Sequence, residues 1–184
     1  MTDSADRLFQ RIAANLREAR QARGFTQQAL ADSAEVSRRM VAALEAGESN
    51  VSLATLDRLA HALGLTFAEL IGGATDASPS RERVRVWRGR SPESHGSILR
   101  SARVEGAVEL WEWSLAPGER YDAEPDRPGM REWVYVTRGK LTLEVSGRRE
   151  EVREGESAAY PSDQEYSYLN EGSEPLRFVK NVVG

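Results

Sequence analysis

The spacing of apolar residues changes once along this chain, near residue 84, and that change divides it into two domains of different class. Before it, apolar residues recur three and four apart: Leu8, Ile12, Leu16 and Ala19, then Leu53, Leu56, Leu59, Ala60 and Leu63. That spacing lines one face of a helix. After it come short runs rich in β-branched and aromatic residues: Val84-Val86, Val108-Leu110, Trp133-Val136, Leu141-Val145, Ala158-Tyr160, Tyr166-Leu169 and Phe178-Val182. Pro117-Gly118, Gly139, Ser146-Gly147, Gly155 and Glu171-Gly172 punctuate them. Many short strands with turn signals between them predict a β-sandwich or barrel. Residues 72–83, GGATDASPSRER, show no periodicity and read as a linker. The expected layout is therefore a helical domain over 1–72, a linker over 73–83 and an all-β domain over 84–184.

In the first domain the helix boundaries are local and chemical. A helix from about Asp6 to Arg23 stops at Gly24, and Thr26, Ser37, Ser52 and Thr66 each stand where a hydroxyl can cap a new helix. The helix opened by Thr26 turns its apolar side through Ala29, Leu30, Ser33 and Ala34, and Ala31 is small enough to let a neighbour cross closely. Glu35-Val36 forms a tight connection to a helix holding Arg38, Arg39, Met40, Val41 and Leu44, closed by Gly47. Of that helix Met40, Val41 and Leu44 are expected in the core. Two short helices joined by a few residues, the second opening on arginines, have the layout of a helix-turn-helix.

Thr26, Gln27, Leu30, Ala31, Val36, Ser37, Val41, Glu45 and Gly47 together resemble the motif of the XRE (phage-repressor-like) family. Glu35 departs from it, standing where the family prefers glycine, so that turn is expected to be strained. The resemblance implies a five-helix, all-α domain that binds duplex DNA. On that reading Arg38 and Arg39 reach guanine edges or phosphates, Ala43 touches a thymine methyl, and Gln27, Ser37 and Asn50 hold phosphates. The bland alternative for Arg38 and Arg39 is a solvated surface pair.

Bulk charge adds little. The chain of 184 residues carries a net charge of −4, and the arginines of its first domain do not outnumber the acids. DNA affinity must come from where the arginines sit. The sequence shows no membrane-spanning run and no export signal, and it has no cysteine, which excludes disulfides and thiolate metal sites. A cytoplasmic protein without a membrane partner is the simple expectation.

In the second domain, Ala116-Pro117-Gly118, then Glu132 with Gly139 seven residues on, then Gly155-Glu156, Pro161 and Asn170 resemble the two motifs of the cupin family. The resemblance implies a double-stranded β-helix, or jelly-roll, barrel. Many cupins hold a metal with histidines and one carboxylate. Here the first-motif histidine positions fall on Glu124 and Asp126, the glutamate is Glu132, and the second-motif histidine becomes Tyr166. The chain's two histidines, His61 and His95, lie outside these motifs. We therefore expect no metal and no cofactor. The loop acids Glu124 and Asp126 are free to pair with Arg120, Arg127 or Arg131.

What remains is a pocket. If Glu132 faces inward, alternation sends Val134 and Val136 in with it and turns Trp133 and Tyr135 out. Tyr166 and Tyr168 share a face, and Tyr121, Tyr160 and either Trp111 or Trp113 can add to the lining. Against this stands the ordinary use of strand aromatics as packing. Trp111, Tyr121, Asp126, Glu132, Val134, Tyr160, Tyr166 and Tyr168 are the expected effector-binding residues, and the carboxylates favour an amine or amino acid. The expected function is a homodimeric, non-enzymatic transcriptional regulator that binds double-stranded DNA and a small effector. A metalloenzyme of the epoxidase or dioxygenase kind, with an accessory helix-turn-helix, is the alternative. A constitutive DNA-binding protein whose barrel only dimerises is a third reading.

Overall fold

The computed structural model describes residues 3–48, 51–72, 83–104 and 106–184. The chain divides into two compact units, Met1–Gly73 and Ala74–Gly184. Of the expected linker only Arg83 falls among the described residues, where it pairs with Glu112.

The first unit contains five helices: α1 (Asp3–Ala22), α2 (Gln27–Ser33), α3 (Arg38–Glu45), α4 (Leu53–Ala62) and α5 (Phe67–Ile71). Four of them start on the hydroxyls named above. Thr26 accepts from the Ala29 N–H at 3.0 Å, Ser37 from Met40 at 3.1 Å, Ser52 from Thr55 at 3.2 Å and Thr66 from Glu69 at 3.2 Å. Glu69 returns a carboxylate to the Thr66 N–H at 2.7 Å, completing a capping box. Leu8, Ile12, Leu16, Leu30, Val41, Leu44, Leu56, Leu59, Leu63, Leu70 and Ile71 form the buried core. Three expectations shift: Ala29 and Ser33 are exposed, because the buried stripe of α2 runs through Leu30 and Ala31, and Met40 is half-buried beside the α3 stripe of Val41, Leu44 and Glu45.

The turn from α2 to α3 shows why glycine is preferred there. Glu35 sits at φ +54°, in the left-handed region, so that the Val36 N–H can reach back to the Ala31 carbonyl at 3.0 Å. At the end of α3 the same conformation falls on Gly47, φ +85°, where it carries no steric cost.

The second unit has ten strands: β1 (Val84–Arg88), β2 (His95–Val104), β3 (Gly106–Leu115), β4 (Arg120–Ala123), β5 (Arg131–Arg138), β6 (Lys140–Val145), β7 (Arg148–Arg153), β8 (Ser157–Pro161), β9 (Tyr166–Leu169) and β10 (Leu176–Val183). They form a six-stranded sheet, β1-β2-β3-β10-β5-β8, and a four-stranded sheet, β4-β9-β6-β7, with antiparallel pairing throughout. This is the jelly-roll arrangement. Alternation sends Trp111, Trp113, Leu115, Val134, Val136, Leu141, Leu143, Val152, Leu176 and Phe178 into the space between the sheets. Trp133 and Tyr135 face outward, 53% and 48% exposed. Trp113 anchors the centre, stacked on Phe178 at 6.1 Å and meeting Tyr168 edge-on at 5.4 Å. Its indole lies so close to the β2 backbone that a Cβ on Gly96 would come within 2.8 Å of the ring. Asn170, buried between the strand ends, donates to the Leu115 and Glu174 carbonyls at 2.9 and 2.8 Å.

Candidate functional site

Two places in the molecule collect chemistry. In the helical unit it is the start of α3. Ser37, Arg38 and Arg39 are exposed there, over a floor of Val41 and Leu44, which are buried. Ser37 uses its oxygen as the cap acceptor, which leaves the hydroxyl hydrogen to donate. Ala43 is half-buried one turn further along, and Asn50 lies outside the described residues. Gln27 is engaged differently from expectation: its amide nitrogen donates to Glu45 at 3.0 Å, within the domain. Only its second amide hydrogen remains to donate to a phosphate.

Glu45 is the hub beneath this surface. It is buried, and Arg20 meets both of its oxygens, at 2.5 and 3.0 Å. Burial pushes its carboxyl pKa up, but the Arg20 and Gln27 hydrogen bonds and the arginine charges outweigh this and hold it below the ordinary value. The charge pair thus ties α1, α2 and α3 together.

In the β unit the chemistry collects on Glu132, which is 1% exposed. One carboxylate oxygen accepts from the hydroxyls of Tyr160 and Tyr168, and the other from Tyr166 at 3.0 Å and from the ammonium of Lys180. The Tyr160 and Tyr168 hydroxyl oxygens stand 2.6 Å apart, so either hydrogen can turn to the other phenol in place of Glu132. Burial, and then the Glu132 charge, hold the three phenols well above their ordinary pKa. Tyr121 is raised by the same two causes. The phenols therefore remain donors at neutral pH.

The structure brings Glu132, Tyr160, Tyr166 and Tyr168 into direct contact. Trp111 flanks them, Val134 packs beside them on β5, and Tyr121 stacks on Tyr168 at 5.7 Å. Asp126 stays in the loop ahead of β5, half-buried, with its N–H on the Ser162 carbonyl at 2.9 Å. Lys180 is the site residue that the motifs did not reveal. Its signal lies in the strand phase: β10 alternates Leu176, Phe178, Lys180 and Val182, and the lysine stands among the inward residues.

The opening to solvent also differs from expectation. A half-open cleft of about 330 Å³ runs past Arg120, Asp122, Glu124, Glu144, the Ser146-Gly147 turn and Glu165, and Tyr166 forms part of its wall. Of the expected effector residues, Tyr166 alone lines it. The outward-facing charges of β4 and β6 carry no motif that marks them as a site. Arg120 turns to Asp122 at 2.5 Å and to Glu144 at 3.5 Å.

Family models match both halves in order: a helix-turn-helix model over residues 16–70 and a cupin-domain model over residues 111–182. The chain is an XRE-type helix-turn-helix transcriptional regulator with a C-terminal cupin domain. This regulator is 27% identical over 170 residues to the HTH-type transcriptional regulator SutR of Escherichia coli (strain K12), covering 91% of each chain. Its fold is similar to that of an HTH_3 family transcriptional regulator from Vibrio cholerae, with a TM-score of 0.72, 24% identity and 98% of each chain covered. The iron(II) form of HppE aligns over 95% of the regulator and 99% of its own chain, at 16% identity and with a TM-score of 0.43. Among the described residues no helix is long and apolar enough to cross a membrane.

Proposed function

We propose that this regulator works as a homodimer in the cytoplasm, binding an operator sequence-specifically through α3 and answering to a small molecule held by its cupin domain. The observation that carries the DNA half is the exposed pair Arg38 and Arg39 in the first turn of a helix capped by Ser37. That turn is the part of a recognition helix nearest the base edges. Two copies would present two such helices to related half-sites.

The effector half is supported by the cleft beside Tyr166. Asp122, Glu124, Glu144 and Glu165 face one arginine, Arg120, so the surplus is negative. An amine, or an amino acid with its carboxylate on Arg120, suits that balance. The reading requires the effector to favour one arrangement of the DNA-binding units over another. A metalloenzyme is not favoured, because the carboxylate such a site needs is engaged by Lys180 and by three tyrosines instead of standing beside histidines.

The test is binding of the wild type and of R38A/R39A to operator DNA recovered by genomic pull-down. Truncating each arginine should cost about 1–3 kcal/mol, so affinity should fall at least tenfold while the variant stays folded. Unchanged affinity would reject α3 as the reading helix. Calorimetry against amines and amino acids tests the effector, and no response to any of them would leave the barrel as a dimerising module.

A further inference from the structure

A lysine in the inward phase of an apolar strand is costly unless its charge is met, and Lys180 is met on every side described. It is 4% exposed, and its ammonium forms an ion pair with Glu132. The rings of Trp111, Trp113, Tyr166 and Tyr168 stand 5.4–5.8 Å from the same nitrogen, close enough for cation–π attraction. Register explains the meeting. On β10 and β5, Val182 pairs with Glu132 and Lys180 with Val134, so the two charges are diagonal neighbours on one face.

Glu132 is the carboxylate that the cupin resemblance assigns to a metal ion, and the donor set around it does not fit one. A metal needs lone pairs aimed at a common point. Here three phenolic hydroxyls and an ammonium crowd the carboxylate, and donors occupy both of its oxygens, leaving neither for an ion. We propose that the Lys180 ammonium is the resident cation of this barrel, tethered to β10 and seated on Glu132 in place of the metal. The barrel then takes no divalent ion at this position. Cutting the tether leaves an aromatic, carboxylate-floored hole that takes a small primary alkylammonium ion.

The test uses the full chain as wild type, K180A, K180M, E132Q and K180M/E132Q, followed by scanning and titration calorimetry. Wild type should bind neither Mn²⁺ nor Zn²⁺ at Glu132, and any rise of its Tm in propylammonium, from the outer cleft, should be smaller than that of K180A. K180M strands a buried carboxylate, so the barrel transition should fall by about 10 °C or more at neutral pH. K180A should recover at least half of its lost Tm in propylammonium, which replaces the missing carbons and nitrogen, and not in tetramethylammonium. K180M/E132Q should be more stable than either single variant. Stoichiometric Mn²⁺ or Zn²⁺ binding by wild type that E132Q abolishes would overturn the proposal. So would a K180M barrel as stable as wild type, or a folded K180A indifferent to propylammonium. Should K180A not fold, a double variant no more stable than the two singles overturns it equally.

Discussion

Glu35 holds a side chain where the backbone wants none. Its φ of +54° costs an L-residue about 1–2 kcal/mol, against roughly 0.5–1 kcal/mol of extra chain entropy lost by a glycine on folding. Glu35→Gly should therefore stabilise the helical unit by up to about 1 kcal/mol, measured by urea unfolding followed at 222 nm. Glu45 gives a pH-dependent counterpart. Its carboxyl is held below the ordinary 4.5, so the stabilisation is complete above that value and is lost as pH falls through the lower folded value. Glu45→Gln leaves Arg20 without its charge partner and should cost about 3–5 kcal/mol at pH 7. The gap between variant and wild type should close in acid, which urea titrations at a series of pH values would read. At this scale Glu132 was legible through its motif position and Tyr166 through the one it replaces. Lys180 was not, because a lysine near a chain end reads as solvated until the strand's phase is known.

The helices were legible because their boundaries are set by neighbours in sequence: a hydroxyl opens each of α2 to α5, and glycine in the left-handed region follows α1, α3, α4 and α5. Strands depend on distant partners, and three escaped. In β2 the pairing register shifts between Ile98 and Arg100, which breaks the alternation, and Gly96 and the buried Ser101 disguise its inner face. β4 has only four residues, and β7 is an edge strand, RREEVR, with Val152 as its single buried side chain. Charge is what a free edge requires, and charge is what hid it. Caps also separate stability from function. Thr66→Ala removes a capping box and should cost about 1 kcal/mol, with DNA affinity intact. Ser37→Ala should cost a similar amount of stability and weaken DNA binding as well. Paired urea and fluorescence-anisotropy titrations would distinguish the two.

At the scale of the molecule, the proposed homodimer needs a surface, and the outer face of the six-stranded sheet is the candidate we put to test. Trp133 and Tyr135 stand out from β5, with Val179 opposite Tyr135, and Asn181 between Trp133 and Leu110. A second copy laid on this face would remove both aromatics from water. On the proposed dimer, Trp133→Glu should shift sedimentation to the monomer and weaken operator binding with the barrel still folded, and unchanged sedimentation would exclude this face. Such binding should also fall steeply with salt, as phosphate contacts release counterions.

The division of residue types between the two units has an optical consequence. All four tryptophans (87, 111, 113 and 133) and all five tyrosines (121, 135, 160, 166 and 168) belong to the second unit. Emission excited at 295 nm therefore reports on the barrel alone and is silent about the helices. In the monomer a quencher dissolved in the buffer should reach Trp133 well before Trp111 or Trp113, which are 3% and 0% exposed, and pairing through the outer face would shield Trp133. Each half of the molecule thus comes with its own spectroscopic channel, and no label need be attached.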